Sequence, residues 1–481
     1  MGRRSAGGCA MERNNVLLIV WLFAVCLHWF DVPAEAGGMT PLSLSRAVAI
    51  ALREHPAIAA SQAGAEAAAE GVVRERAGFL PRLDASGSFR RTTHPPEVFA
   101  SKLDQERFSA EDFDIDRLNR PNARSDFGAS LSAAWTLYDG GRTWHGWQEA
   151  RLGRRAADLA LARTRQAVIA EVTAAYAGWL LARDHLGVVE AALSAARAHA
   201  RLAEERHAAG LSVKSDLLRA RVRVSELEQQ RLDAASRLET ARAALATAMG
   251  RRREIPREPA DSLAQLSAAP GIRDADPVDA WLARAAAQRP DLQEAALAEE
   301  MARERTERAR AGHLPRLDLV GDVQLHSEDF ESAGEHYAVG AVVRLPLFAG
   351  LAVSSAVGEA LARLRQAQAE RRRVEDRAAL EVRRAHNAFG SAARREGVAA
   401  AAVAEAEEAL RIVSERYAAG LVTMADLLSA GAALQEARRL LLQARHDLVL
   451  GRAELERAAG VLSAAAEEGE GGGTSPPGEG R

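Results

Sequence analysis

Along four stretches of this chain, apolar and polar residues alternate with period two. Leu83, Ala85, Gly87 and Phe89 alternate with Asp84, Ser86, Ser88 and Arg90; Phe127, Ala129, Leu131, Ala133, Trp135 and Leu137 alternate with Gly128, Ser130, Ser132, Ala134, Thr136 and Tyr138. In a third run Leu317, Leu319, Gly321, Val323 and Leu325 oppose Asp318, Asp322, Gln324 and His326, and in a fourth Tyr337, Val339, Ala341, Val343, Leu345 and Leu347 share one face. Period two predicts strands, because successive side chains of an extended backbone point to opposite faces. Each run is about 10 to 12 residues long, the length that crosses a bilayer when tilted. Two structures fit: a membrane barrel with apolar side chains toward lipid and polar ones toward water, or a half-buried antiparallel sheet.

Elsewhere the period is helical. Residues 42 to 77 read as an Ala-rich helix, and Pro81 opens the first strand. After Asp139-Gly140-Gly141, Val168, Val172, Ala175, Trp179, Ala182, Leu186, Val189, Leu193, Ala196, Ala200 and Ala203 follow in unbroken 4,3 spacing, a heptad seam. After Ala349-Gly350 the same seam returns as Ala378, Val382, Ala385, Phe389, Ala392, Glu396, Ala399, Val403, Ala406, Leu410 and Val413, with Glu396 the one polar break. A helix from Arg142 to His207 would be about 100 Å long at about 1.5 Å per residue. Gly210 and Gly420 stand where such helices end in a left-handed residue, and a second helix follows each, so both rods fold back as hairpins.

These elements occur twice. Gly78-Phe79-Leu80-Pro81-Arg82-Leu83-Asp84 returns as Gly312-His313-Leu314-Pro315-Arg316-Leu317-Asp318 at an offset of 234. Glu205-Arg206-His207-Ala208-Ala209-Gly210-Leu211 and Asp216-Leu217-Leu218 return as Glu415-Arg416-Tyr417-Ala418-Ala419-Gly420-Leu421 and Asp426-Leu427-Leu428 at an offset of 210. The first copy therefore carries 24 extra residues, 234 minus 210, between its two motifs. The predicted organisation is a signal peptide over 1–36, repeats over 37–260 and 261–465, and a disordered Gly-, Pro- and Glu-rich tail over 466–481.

Composition narrows the class. Ala, Arg, Glu and Leu dominate and aromatic residues make up only 5%, a mixture that favours long helices over a dense core. A net charge of −3 gives no basic face for nucleic acid. Arg3, Arg4 and Arg13, the apolar stretch Val16 to Phe30, and Ala34-Glu35-Ala36 before Gly37 make an export signal. A lipoprotein reading through Cys26 meets a poor lipobox in Phe23-Ala24-Val25. Both cysteines, Cys9 and Cys26, precede Gly37, so the mature chain has no thiol for a disulfide or a metal. No other stretch of 18 apolar residues exists, which leaves strands as the membrane-spanning route. The chain has no HExxH, Walker loop, nucleophile elbow or dinucleotide fingerprint, and its twelve histidines lack ligand spacing, so no enzyme, cofactor or metal site is expected.

Four strands do not close a membrane barrel, for which about eight are the smallest useful number. Other copies must pair the edges, and three chains would supply twelve strands. The element order, the doubled Leu-Pro-Arg-Leu strands, Leu137-Tyr138-Asp139-Gly140-Gly141 and Leu345-Pro346-Leu347-Phe348-Ala349-Gly350 at the strand-to-helix joins, and the paired hairpin tips together resemble the TolC-type outer-membrane efflux protein family over about residues 40 to 462. The resemblance implies an α+β membrane protein: a homotrimeric twelve-stranded β-barrel in the outer membrane, continued by a periplasmic barrel of coiled-coil hairpins. It implies an exit duct for tripartite efflux or type I secretion, docked through its tips to a periplasmic adaptor and an inner-membrane pump or ABC transporter. A periplasmic coiled-coil adaptor or scaffold is the alternative; it would carry one hairpin flanked by small barrel domains, whereas this chain has two hairpins and two strand pairs.

The resemblance also assigns residues. Asp426 matches a position whose three copies form an acidic ring at the periplasmic constriction; Ser429 stands where the family has a second acid, and Val422 where it has a gating arginine. Thr423-x-x-Asp426 also reads as a helix capping box, and Asp216, in the matching place of the first repeat, reads first as a cap. Gly210, Leu211, Gly420 and Leu421 are candidates for adaptor contact, beside the plainer reading that the glycines end helices and the leucines staple them. Trp135, Tyr138, Trp144 and Trp147 fit a membrane-interface belt or simple packing at the junction. The insertion, roughly His94 to Arg124, reads as an external loop between strands, flexible or folded partly over the pore.

Fractionation should recover a heat-modifiable trimer in the outer membrane whose first residue, by mass spectrometry, is at or near Gly37. A soluble periplasmic monomer would overturn the barrel reading.

Overall fold

The computed structural model describes residues 41–251, 258–268 and 276–463. The export signal, with Cys9 and Cys26, and the tail from 466 lie outside the described residues, which from Leu42 onward form one compact unit. The helices are α1 (Leu44–Glu54), α2 (Pro56–Arg76), α3 (Pro95–Asp104), α4 (Ile115–Asn119), α5 (Arg142–Ala208), α6 (Lys214–Ala248), α7 (Leu263–Ser267), α8 (Val278–Gln288), α9 (Pro290–Arg310), α10 (Ala352–Ala418) and α11 (Met424–Ala458). The strands are β1 (Arg82–Thr92), β2 (Arg124–Tyr138), β3 (Arg316–Ser327) and β4 (Ala333–Arg344).

The duplication is visible element by element. Both long helices have 67 residues and both return helices 35. The single helix expected over 42–77 is two, because the fixed φ of Pro56 and the extended His55 before it break the run. His55 then caps the second piece, its Nδ1 accepting from Ala57 N–H at 3.2 Å. Arg289 and Pro290 divide α8 from α9 in the same way.

The strands form one antiparallel sheet in the order β1-β2-β3-β4. Leu83 lies opposite Ala133, Ala133 opposite Gly321, and Gly321 opposite Val339, so the apolar members of all four runs share one face. Asp84, Ser132, Asp322 and Ala338 lie opposite one another on the other. β2 is longer than expected at 15 residues because its first residue, Arg124, pairs with Thr92. Leu345 and Leu347 fall beyond β4, which stops at Arg344 before Pro346.

Each long helix buries its predicted seam. Val168, Val172, Trp179, Val189, Leu193, Ala196 and Ala203 are buried on α5, and Ala378, Val382, Ala385, Phe389 and Ala392 on α10. The upper seam of α10, from Ala399 to Val413, is only half-buried. α5 is covered by α6 and by α11, whereas α10 packs on α11 and meets α6 only near the tips. Tyr176 and Trp179 meet edge to face at 5.8 Å in the core below the first hairpin, where the Tyr176 hydroxyl donates to Leu42 O at 2.7 Å or to Asp261 Oδ2 at 2.8 Å. Leu44 N–H donates to the same Asp261 oxygen at 2.8 Å, which ties the segment after α6 to the start of the chain.

The insertion is folded. Between α3, a 3₁₀ turn over Ala110–Phe113 and α4, the rings of Phe99, Phe108 and Phe113 meet edge to face at 4.7 and 5.2 Å, with Phe99 and Phe108 half-buried and Phe113 exposed. Lys102 and Asp112 form an ion pair inside it. Short helices thus occupy the segment expected as a loop between strands, and its ends are joined by the Thr92–Arg124 pair.

Candidate functional site: hairpin tips and the strand-to-helix junction

Both hairpins end in the same backbone motif. Gly210 and Gly420 take φ of 73° and 75°, in the left-handed region that disfavours any Cβ. Gly210 N–H donates to His207 O at 3.0 Å and Leu211 N–H to Arg206 O at 2.8 Å; Gly420 and Leu421 repeat the pair on Tyr417 O and Arg416 O at 3.0 and 2.9 Å. This is the Schellman arrangement, which satisfies carbonyls that a helix end leaves open. The leucines staple nothing. Leu211 is 70% and Leu421 74% exposed, because the residue each would meet in that motif is an arginine, Arg206 or Arg416.

The two tips are joined by a residue that sequence reasoning missed. Arg206, at the end of α5, donates from Nη1 to Tyr417 O at 2.8 Å and Ala418 O at 3.2 Å, the last carbonyls of α10, and its guanidinium lies 5.2 Å from the Tyr417 ring centre. A cation at the carbonyl end of a helix meets the negative end of the helix dipole. Beneath it Ala203, Leu217, Ala220, Tyr417, Met424 and Leu427 form one buried cluster drawn from all four hairpin helices. The Tyr417 hydroxyl is buried there without a partner, and burial raises its pKa, with the Asp216 charge adding to the rise. The Arg206 signal was present in the sequence only as one basic residue near a helix end, indistinguishable from its many neighbours.

Asp426 and Asp216 occupy matching positions but different surroundings. Asp426 completes a capping box: its Oδ2 accepts from Thr423 N–H at 2.9 Å and Thr423 Oγ1 at 2.7 Å, and Asp426 N–H donates back to Thr423 Oγ1 at 3.3 Å. These bonds hold the exposed Asp426 carboxyl below the ordinary carboxylate range. Asp216 does not cap, contrary to expectation. The N-cap of α6 is Val213, which has no oxygen to reciprocate, and no side chain caps that helix. Ser429 lies one turn beyond Asp426 and is exposed, and Val422 packs against the shared cluster.

At the other end of the rods, Gly140 and Gly141 turn β2 into α5 with φ of 73° and 88°. A Cβ on Gly140 would lie 2.9 Å from Ala311 O and 2.7 Å from the Leu314 Cβ, so the first repeat meets the second there backbone to backbone. Asp139 caps the turn through Gly141 N–H at 3.1 Å and Thr143 N–H at 2.9 Å. In the second repeat Leu351 takes the left-handed place of Gly141. At the junction Trp147 packs against Phe79 and Trp144 at 6.2 and 5.3 Å, while Trp135, Tyr138 and Trp144 are half-exposed. Trp135 Nε1 donates to Phe79 O at 2.9 Å, leaving its ring on the apolar face of the sheet.

The sequence profile of the outer membrane efflux protein family matches residues 47–251 and 281–461, one segment in each repeat. The chain belongs to this family. It is similar to the protease secretion protein PrtF of Dickeya chrysanthemi, 27% identical over 94% of this chain and 93% of that one. It is equally similar to the alkaline protease secretion protein AprF of Pseudomonas aeruginosa, 27% identical over 93% and 89%. Among solved structures, the outer membrane protein VceC of Vibrio cholerae matches its fold with a TM-score of 0.72 at 22% identity, over 87% of this chain and 96% of that one. Family membership decides between the two readings of the strands and removes the adaptor alternative: the sheet is this chain's third of a trimeric outer-membrane barrel, and the helices form the periplasmic tunnel. The protein is an outer-membrane channel for efflux or secretion, not an enzyme.

Replacing Arg206 with Ala should raise amide exchange over residues 417–423 by about tenfold, since the α10 carbonyls lose their cation and the tip opens locally. Arg206→Lys should restore protection only in part, because an ammonium lacks the planar fork. Unchanged exchange in both variants would remove Arg206 from the tip contact.

Proposed function

We propose that this channel is the exit duct of a type I secretion system that carries protein, and that its hairpin tips dock a periplasmic adaptor linked to an inner-membrane ABC transporter. The similarity to two protease secretion proteins over nine-tenths of the chain carries the cargo assignment. The exposed Leu211 and Leu421, presented on rigid left-handed turns at the far end of rods about 100 Å long, support the docking assignment. Apolar side chains held out from a tip by the backbone itself lose little entropy on binding.

The contact between copies follows from the repeat. Leu428 and Leu442 on α11 pack on the first hairpin within the chain, whereas their counterparts at the 210 offset, Leu218 and Leu232 on α6, are 50% and 62% exposed. The α10 helix of the next copy is their proposed cover. Arg416, counterpart of Arg206, has no side-chain partner among the described residues, and the α5 carbonyl end of the next copy is its proposed acceptor.

Deleting the gene in its native host should remove one or more proteins from the culture supernatant, and the wild-type copy should restore them. Gly420→Glu and Leu421→Glu should fail to restore export while trimers still reach the outer membrane. A supernatant proteome unchanged by deletion, with drug susceptibility increased, would replace protein cargo by small molecules.

Asp426 is further proposed to contribute, as three copies about one axis, a ring of about three negative charges that favours cations at the periplasmic constriction. Its hydrogen bonds lower the carboxyl pKa, which opposes the rise that three like charges impose on one another. In planar bilayers Asp426→Ala should lose cation selectivity and block by trivalent cations, while Thr423→Ala, which removes the cap and keeps the charge, should retain both. Identical behaviour of the two variants would reduce Asp426 to a helix cap.

A further inference from the structure

The polar face of the sheet is covered at one end by the insertion. α3 packs over β2, β3 and β4 on that face and reaches β1 by an ion pair: Arg90 pairs with Glu97 at 3.3 Å, and Asp126 of β2 accepts from Nε2 of Gln105, just past the end of α3, at 2.9 Å. His326 of β3 lies 3.0 Å from the same Asp126 carboxylate, and His336 of β4 lies 2.8 Å from Asp104 O. At Gly334 the fit is so close that a Cβ would fall on the Asp104 carbonyl. Arg90, Asp126, His326, Gly334 and His336 all share the face of Ser86, Ser130 and Gln324, opposite the apolar one. In a barrel whose apolar face meets lipid, that face is the lumen. The covered end is the one away from the helices, where β1 passes to β2 and β3 to β4, and it opens outside the cell.

The insertion is held there by polar contacts. α3 ends in a tip-like turn with Glu106 at φ 54°, which delivers Arg107 to Glu328 at 3.1 Å, Asp329 at 2.8 Å and Ser332 at 2.8 Å on the β3–β4 turn. Arg124 adds Gln105 at 2.8 Å and Glu328 at 3.0 Å. A seat made of ion pairs and hydrogen bonds is compatible with water on release, while the buried Val98 and the ring contacts of Phe99 and Phe108 lie within the inserted unit itself. Lys102 holds the Asp112 carboxyl down to about 2, so that carboxylate stays charged across the range in which cells live.

We propose that residues 94–124 form a folded plug seated on the lumen wall at the outer mouth, so that three copies narrow the exit and select what leaves the duct. The proposal rests on the channel reading above and adds an external constriction to it. Its seat fixes the variants that test it. Gly334→Leu places a side chain where Asp104 sits, Arg107→Glu sets like charges against Glu328 and Asp329, and residues 93–123 are replaceable by a tight Asn-Gly turn because Thr92 and Arg124 are already a registered pair.

A single cysteine at Ser86 on the lumen face is the probe, labelled in intact cells with a bulky poly(ethylene glycol) maleimide and with a small sulfonated one. The bulky reagent should react about tenfold faster in each of the three variants than in the otherwise unaltered chain, and the small one nearly equally in all. Equal bulky-reagent rates across assembled variants would overturn the plug. Glu331→Cys on the β3–β4 turn separates the two readings: failure to label it from outside overturns the barrel topology, whereas its labelling with unchanged Ser86 rates overturns the plug alone. If the deletion fails to form heat-modifiable trimers, Gly334→Leu and Arg107→Glu decide.

Discussion

Hydrocarbon offers no hydrogen-bond partner, so a strand that crosses it must be paired along both edges. Within the chain β2 and β3 meet that demand and β1 and β4 each leave an edge open. The rest of the architecture answers this deficit. Duplication doubles the strands available from one gene, assembly of three chains closes the edges, and the alternation along each strand lets one face meet lipid while the other meets water. The same duplication supplies two helical hairpins per chain. Their Ala-rich seams let long rods approach closely enough to wall a tunnel, because small side chains shorten the distance between helix axes.

How far this was legible in the sequence depended on whether a feature repeats. The period of two in four runs and the 4,3 spacing in two others located the sheet and the rods, and α5 ends one residue from its expected end. A pattern sampled over many residues averages out local exceptions. Single positions did not have that protection. Asp216 looked like a cap because Asp426 is one, but capping needs an oxygen at the preceding N-cap, and Val213 has none where Thr423 has a hydroxyl. Leu211 and Leu421 looked like staples because leucine usually is, but a staple needs an apolar partner, and arginine occupies that place twice.

Long-range partners were the least legible of all. The α7 segment, with Asp261 joining Tyr176 to Leu44, and the Arg206 contact across the tips involve residues 85 to 217 positions apart or in different repeats. No local period encodes such a contact, and one sequence contains no second record of it. The insertion was legible only by its place: lying between two strands it read as an external loop, and the short helices inside it have no second copy whose period could reveal them.

Positions where the two repeats differ carry information that the shared pattern hides. Gly141 has become Leu351 at a left-handed turn, His207 has become Tyr417 at a buried tip, and Val213 has become Thr423 at a helix start. Each of these falls at an end of a rod; the heptad seam changes among apolar residues, as from Trp179 to Phe389 and Val189 to Ala399, apart from Leu186 to Glu396, which Arg445 meets at 3.5 Å. The rods therefore keep an apolar seam in both repeats, while the chemistry of their ends differs. Arg206 reaches from the first hairpin to the second inside one chain, whereas its counterpart Arg416 has no side-chain partner among the described residues. A tunnel built from three such chains is close to sixfold in backbone and threefold in chemistry. Its six hairpins are joined as three bonded pairs with a second kind of contact between pairs, and because two unlike interfaces differ in stability, one kind can loosen while the other holds.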